Sequence, residues 1–159
     1  MSEGVEWALH CCLTLDWLGG DRPVPTARLA AGYELPSAYL NKQLQAMVRA
    51  GLFTSTAGAR GGFQLARPLD KITLMDVVTA IEGPDDAFQC MEIRQRGMGA
   101  EAPSRQFKVP CAVTTAMRKA ELAWRRALAA QTLADVRASA ERHSPDLGAG
   151  VRRWYERTT

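Results

Sequence analysis

Residues 36–66 read PSAYLNKQLQAMVRAGLFTSTAGARGGFQLA. In the first half Leu40, Leu44, Met47 and Val48 recur at helical spacing, which predicts a helix from Ser37 to Ala50, with Gly51 as its stop signal. The second half changes period. Two short β-prone runs, 52–56 and 62–66, flank the Gly-rich turn AGARG, and that pattern predicts a hairpin.

Working outward, Val5, Ala8, Leu9, Cys12 and Leu15 share one helical face, so 5–18 reads as a helix that Gly19-Gly20 ends. Thr26 is the expected N-cap of a short helix reaching Ala31. Three helices followed by a hairpin is the order of a winged helix-turn-helix, in which the third helix enters the major groove and the hairpin touches the backbone or minor groove. Downstream, Thr73 with Asp76 forms a capping-box signature that opens a helix over 72–81. Residues 84–111 lack periodicity and read as a loop. A long helix is expected over 112–131, and a second capping box, Thr132 with Asp135, starts a short helix. The expected fold is mainly α with a small β wing. A winged helix-turn-helix domain occupies 1–83, a loop 84–111, a long and a short helix 112–143, and a flexible tail 144–159.

The chain has 159 residues, 47% hydrophobic and 23% charged, which is ordinary globular composition. No apolar run nears the roughly 20 residues of a membrane span. The N-terminus has no basic segment, so no secretory signal is expected. Four cysteines are too few for a disulfide scaffold of this length, and a cytoplasmic location is expected. No P-loop, dinucleotide glycine motif, nucleophile elbow or HExxH is present, so an enzyme is not expected.

The net charge of +3 is unevenly laid out. Residues 22–71 hold seven bases against two acids, a balance of +5, whereas 72–92 hold five acids and no base. The basic block covers the predicted reading elements, as phosphate neutralisation requires. Ser37, Tyr39, Asn41, Lys42 and Gln45 on the third helix and Arg60 at the wing tip form the expected contact set for double-stranded DNA. Arg28 and Arg49 are expected as phosphate contacts or solvated charges.

The pieces Tyr39-Leu40, Ala50-Gly51-Leu52, Gly61-Gly62-Phe63, Ile72-Thr73-Leu74 and Glu82-Gly83 together resemble the Rrf-type winged-helix transcription regulators, the group containing IscR, NsrR and RsrR, over roughly residues 5–137. The resemblance implies a homodimer on a palindromic operator, with the helix over 112–131 packing against its twin. Some relatives carry an arginine about three residues earlier in the wing, where this chain has Ala57.

Many members hold an iron–sulfur cluster through three closely spaced cysteines after Glu-Gly. This chain has only Cys90 and Cys111 there, and two cysteines cannot complete a four-ligand cluster. Helix 1 offers Glu6 and His10 at i, i+4 on one face, continued by the apolar Leu13 and Trp17, so that this face is expected to be covered. They form either a simple helical pair or part of a site. The segment GVEWALHCC resembles the redox-sensing RsrR-type branch, which implies a [2Fe–2S] cluster held by Glu6, His10, Cys90 and Cys111, with 84–111 as the cluster-binding loop. Trp7 either packs in the core or responds to the cluster's state. Cys11 and Cys12 are expected as buried core thiols, and His143 as solvated. Two other readings remain open at this point. One is a cluster-free regulator switched by the Cys90 and Cys111 thiols, and the other is an iron–sulfur electron-transfer or assembly protein.

Overall fold

The computed structural model describes residues 1–20 and 22–158. The elements run α1 (Glu3–Trp17), α2 (Thr26–Gly32), α3 (Ser37–Arg49), β1 (Phe53–Thr56), β2 (Gly62–Leu65), α4 (Leu74–Glu82), α5 (Ala112–Ala129), α6 (Leu133–His143) and α7 (Leu147–Arg157). They form two compact units, one of residues 1–84 with 128–159 and one of residues 85–127. Among the described residues no helix is long and apolar enough to cross a membrane.

The first unit is a mainly helical body with a small wing. Leu40, Leu44 and Met47 of α3 are fully buried, as the periodicity requires, and Gln43 joins them. Helix α1 is central. It packs against α3 and α4 and also against α6 and α7. It therefore buries Leu13, Thr14 and Trp17 as well as the face holding Val5, Ala8, Cys12 and Leu15. A helix covered from several directions has no single apolar stripe.

The wing is an antiparallel pair in register Phe53↔Leu65 to Thr56↔Gly62. Phe63 pairs with Val24 through two backbone hydrogen bonds of 2.9 Å. The Gly-Gly-aromatic motif has a steric reason. A Cβ on Gly61 would lie 2.1 Å from the Thr56 carbonyl oxygen, and one on Gly62 would lie 2.3 Å from the Val24 backbone. Phe63 is then the side chain that enters the core, at 4% exposure.

Both capping boxes form. Thr73 N–H donates to Asp76 (2.8 Å) and Asp76 N–H donates to Thr73 Oγ1 (3.1 Å). Thr132 and Asp135 repeat the pattern at 2.9 and 3.2 Å. The two caps lie side by side: Leu74 N–H donates to Gln131 O and Leu133 N–H to Ile72 O, at 3.0 and 2.8 Å. The returning chain is thus fastened beside the start of α4.

Two local expectations change. Pro25, not Thr26, stands at the N-cap of α2, because the Thr26 hydroxyl instead bonds Asn41 Oδ1 at 3.2 Å. Where a flexible tail is expected over 144–159, Leu147–Arg157 forms α7, while Thr159 lies outside the described residues. Tyr155 of α7 is buried. Arg152 donates to the Trp17 carbonyl at 3.1 Å, and Tyr155 Oη donates to Arg28 O at 3.3 Å. Docking of an apolar face supplies the stability that the glycine-rich start of this helix lacks.

The second unit carries three short 3-10 turns (Ile93–Gln95, Gly97–Gly99, Ser104–Phe107) and then α5. Thr114 is its one buried residue. Arginines hold it together. Arg125 donates to the Asp85 carbonyl and to Glu121, both at 2.7 Å, and Arg94 donates to Glu92 at 2.5 Å.

Candidate functional site

The outer side of α3 presents Ser37, Tyr39, Asn41 and Lys42 to solvent, with Gln45 half-buried. Arg60 is exposed in the turn between β1 and β2. Asn41, Gln45, Pro25 and Thr26 line one side of a groove of about 330 Å³, and the wing lines the other with residues 55–58 and 61–63. Helix α3 and the wing thus share one concave surface of the first unit. Arg28 is not part of it. Its guanidinium lies 5.0 Å from the Tyr155 ring centroid and donates to the Tyr155 carbonyl. The expectation of a phosphate contact or a solvated charge at Arg28 is therefore corrected, because α7 takes up this side chain.

Glu6 and His10 are exposed on α1, not covered, and they line a cavity of about 490 Å³. Leu9, Leu13 and Val136 give that cavity an apolar wall. Leu13 and Trp17, the continuation of the stripe, are buried, with Trp17 Nε1 donating to Glu141 at 2.9 Å. The N-terminus that borders the cavity is pinned, since Ser2 N and Oγ both donate to Glu82 (2.8 and 2.6 Å). These bonds hold the Glu82 carboxyl below the usual carboxylate range.

Two aromatic neighbours of this segment come from other elements. Tyr33, at the end of α2, sits 5.6 Å from the His10 ring, and its hydroxyl donates to the His10 carbonyl (3.3 Å). Trp7 is half-buried and meets Tyr39 of α3 edge-on, centroids 5.3 Å apart. Tyr33 carries no local signal in the sequence, because the turn that places it is 23 residues from His10.

Cys90 and Cys111 line one cavity of about 580 Å³ in the second unit. Cys90 is exposed and accepts the Glu92 backbone N–H at 3.4 Å. Cys111 immediately precedes α5. The backbone N–H groups of Thr114 and Val113, with smaller help from the Thr114 hydroxyl and the Arg94 guanidinium, hold its thiol below the usual range. Arg94 is the one cationic side chain lining this cavity. Its only sequence signal is a base four residues after Cys90.

Among the described residues neither unit alone brings three His, Cys, Asp or Glu side chains together in a metal-binding group. Glu6 and His10 share one cavity of the first unit with Glu3, and Cys90 and Cys111 share one cavity of the second with Glu92. Cys11 and Cys12 are fully buried, as expected of core thiols. His143 is exposed at the end of α6, its Nδ1 2.7 Å from the Ser139 carbonyl.

The model of the Rrf2 family, described as an iron-dependent transcriptional regulator, matches residues 1–139. YffB of Lactococcus lactis, provisionally named an HTH-type transcriptional regulator, is 33% identical over 136 residues, covering 86% of this chain and 85% of its own. Protein rrf2 of Nitratidesulfovibrio vulgaris is 33% identical over 118 residues, with 74% and 73% covered. Among solved structures, CymR, the global cysteine regulator of B. subtilis, superposes with a TM-score of 0.63 at 24% identity, covering 87% of this chain and 96% of its own. T. potens IscR gives a TM-score of 0.63 at 20% identity, covering 91% and 90%. At these identities the structures attest the winged-helix fold. Helix α7 lies beyond the family match.

Proposed function

Because this chain belongs to the Rrf2 family of transcriptional regulators, we propose that it is a homodimeric, redox-responsive DNA-binding regulator that holds a [2Fe–2S] cluster through Glu6, His10, Cys90 and Cys111. The observation that carries this reading is the pair of cavities, one lined by Glu6 and His10 and the other by Cys90 and Cys111. The donor set fits the group. Thiolates bind ferric iron, and Cys111 is already disposed toward thiolate by the start of α5. When bound, such a cluster supplies a one-electron couple, and replacing two thiolates by imidazole and carboxylate raises its potential relative to all-cysteine ligation. His10 binds through one ring nitrogen and keeps the other for a proton. Trp7, between the two helix-1 donors, meets the recognition helix at Tyr39 and is the residue through which this segment acts on α3.

The dimer rests on α5. Val113, Met117, Ala120 and Trp124 follow heptad spacing, and Val113 and Met117 are 60% and 41% exposed. A stripe of that kind on a helix calls for an apolar partner, and a second copy supplies one of matching period. On DNA, Ser37, Asn41, Lys42 and Gln45 read base edges and phosphates while Arg60 enters a minor groove beside the wing.

Anaerobic purification followed by a visible spectrum and iron and sulfide analysis tests the cluster. Colour is expected in the native chain and is lost in Glu6→Ala, His10→Ala, Cys90→Ala and Cys111→Ala. A colourless protein after anaerobic reconstitution overturns it. The shared cavity of Cys90 and Cys111 then favours the thiol-switch reading, in which a peroxide oxidant such as hydrogen peroxide takes two electrons and two protons from the thiols, leaving a disulfide and two waters. For DNA, Arg60→Ala is expected to weaken binding severalfold to a duplex selected from a random pool, and unchanged affinity at moderate salt removes Arg60 from the interface.

A further inference from the structure

Cys90 and Cys111 are 21 positions apart in a unit with almost no buried core, yet they share one cavity. Hydrophobic packing does not explain that convergence. Arg94 does. Its Nε donates to Glu92 Oε1 at 2.5 Å. Glu92 has left-handed backbone geometry, φ 45° and ψ 47°, which is uncommon for a residue with a side chain. That turn is what directs the Glu92 N–H onto Cys90 Sγ. The Arg94–Glu92 pair therefore secures the turn that carries Cys90. On the other side, Arg94 Nη2 donates to the Val109 carbonyl at 3.3 Å, and its guanidinium carbon stands 5.6 Å from the Phe107 ring centroid. Val109 is two residues before Cys111. One planar guanidinium thus bonds both cysteine-bearing segments, a geometry that a lysine ammonium cannot reproduce at both ends.

We infer that Arg94 is a positioning residue that holds Cys90 and Cys111 as a convergent thiol pair and sets a positive charge beside whatever the pair binds. The convergence is independent of the cluster. The effect on potential rests on the cluster reading above.

The cluster-free protein tests convergence with phenylarsine oxide. Two As–S bonds form to the thiols, the As–O double bond is lost, and both thiol protons leave with the oxygen as water, with no change of oxidation state. The native chain is expected to form a 1:1 adduct that blocks Cys90 and Cys111 together, read by mass spectrometry. Arg94→Gln is expected to slow closure at least tenfold and Arg94→Lys to restore it in part. Glu92→Gln, which leaves Arg94 in place, gives a smaller slowing and serves if Arg94→Gln does not fold. In the loaded protein Arg94→Gln is expected to disfavour reduction about tenfold, roughly 59 mV for a one-electron couple, while Arg94→Lys stays near the native value. No adduct in the native chain, or native closure rates in both Arg94→Gln and Glu92→Gln, overturns the inference. A colourless native protein in which Arg94→Gln still slows closure supports it and defeats the cluster reading alone.

Discussion

The molecule holds two cysteine pairs of opposite character. Cys11 and Cys12 have no exposed surface, and burial pushes the Cys11 thiol up to about 12 and the Cys12 thiol well above its usual value. Cys90 is exposed and Cys111 half-buried, and the start of α5 holds the Cys111 thiol down. The same contrast runs through the units that contain them. The first unit buries most of its large apolar side chains. The second leaves Met91, Ile93, Met98, Val109 and Val113 more than 60% or at 60% exposed and relies on arginine bonds to backbone carbonyls. A cysteine inside a packed core behaves as a small apolar residue, whereas a cysteine on a stitched loop stays available to react.

The largest expected difference is chemical. In folded, cluster-free protein, iodoacetamide should modify Cys90 and Cys111 about three orders of magnitude faster than Cys11 and Cys12, because the inner pair reacts only after the unit opens. Equal rates would break the comparison. Next comes packing: Leu44→Ala should cost about 2–5 kcal/mol in urea unfolding, against at most about 0.5 for Ile93→Ala in the cluster-free chain. A costly Ile93→Ala would show that the second unit has a core of its own. Cys12→Ala should cost roughly 1–2 kcal/mol and leave iron uptake intact, whereas Cys90→Ala abolishes uptake with little effect on stability. Thr73→Ala should cost about 1 kcal/mol through loss of the α4 cap.

The smallest effect is acid-dependent. Thr132 holds the Asp135 carboxyl below its ordinary pKa. The cap's contribution is therefore present above the usual carboxylate range and disappears as pH falls through the depressed value. Thr132→Ala should make stability fall less steeply on acidification between about pH 5 and 2. An unchanged slope would assign the acid dependence to other carboxylates.

Much of this is legible in the sequence. Elements α1 to α6 and the wing follow from apolar spacing, capping boxes and glycine signals, since each is local information. Helix α7 was not legible, because Gly148 and Gly150 weaken it and its stability comes from Trp17 and Arg28, more than a hundred residues away. The donors Glu6, His10, Cys90 and Cys111 stood out through residue scarcity and family resemblance. Arg94 did not, because its importance depends on a left-handed turn at Glu92 and on the path of 107–109, which no period in the sequence encodes. Arg28 misled for the related reason that charge patterning does not show which partner a cation finds.

The closing of α6 and α7 onto α1 also governs how the protein is made. Asp16 pairs with Arg137, Trp17 with Glu141 and Arg28 with Tyr155, each across at least 121 positions. During synthesis the winged-helix segment emerges first, and the side of α1 bearing Trp17 gains its partners Glu141 and Arg152 only after α6 and α7 have been made. Folding of this unit is therefore completed only once α7 has been made, by closing a loop of more than 120 positions.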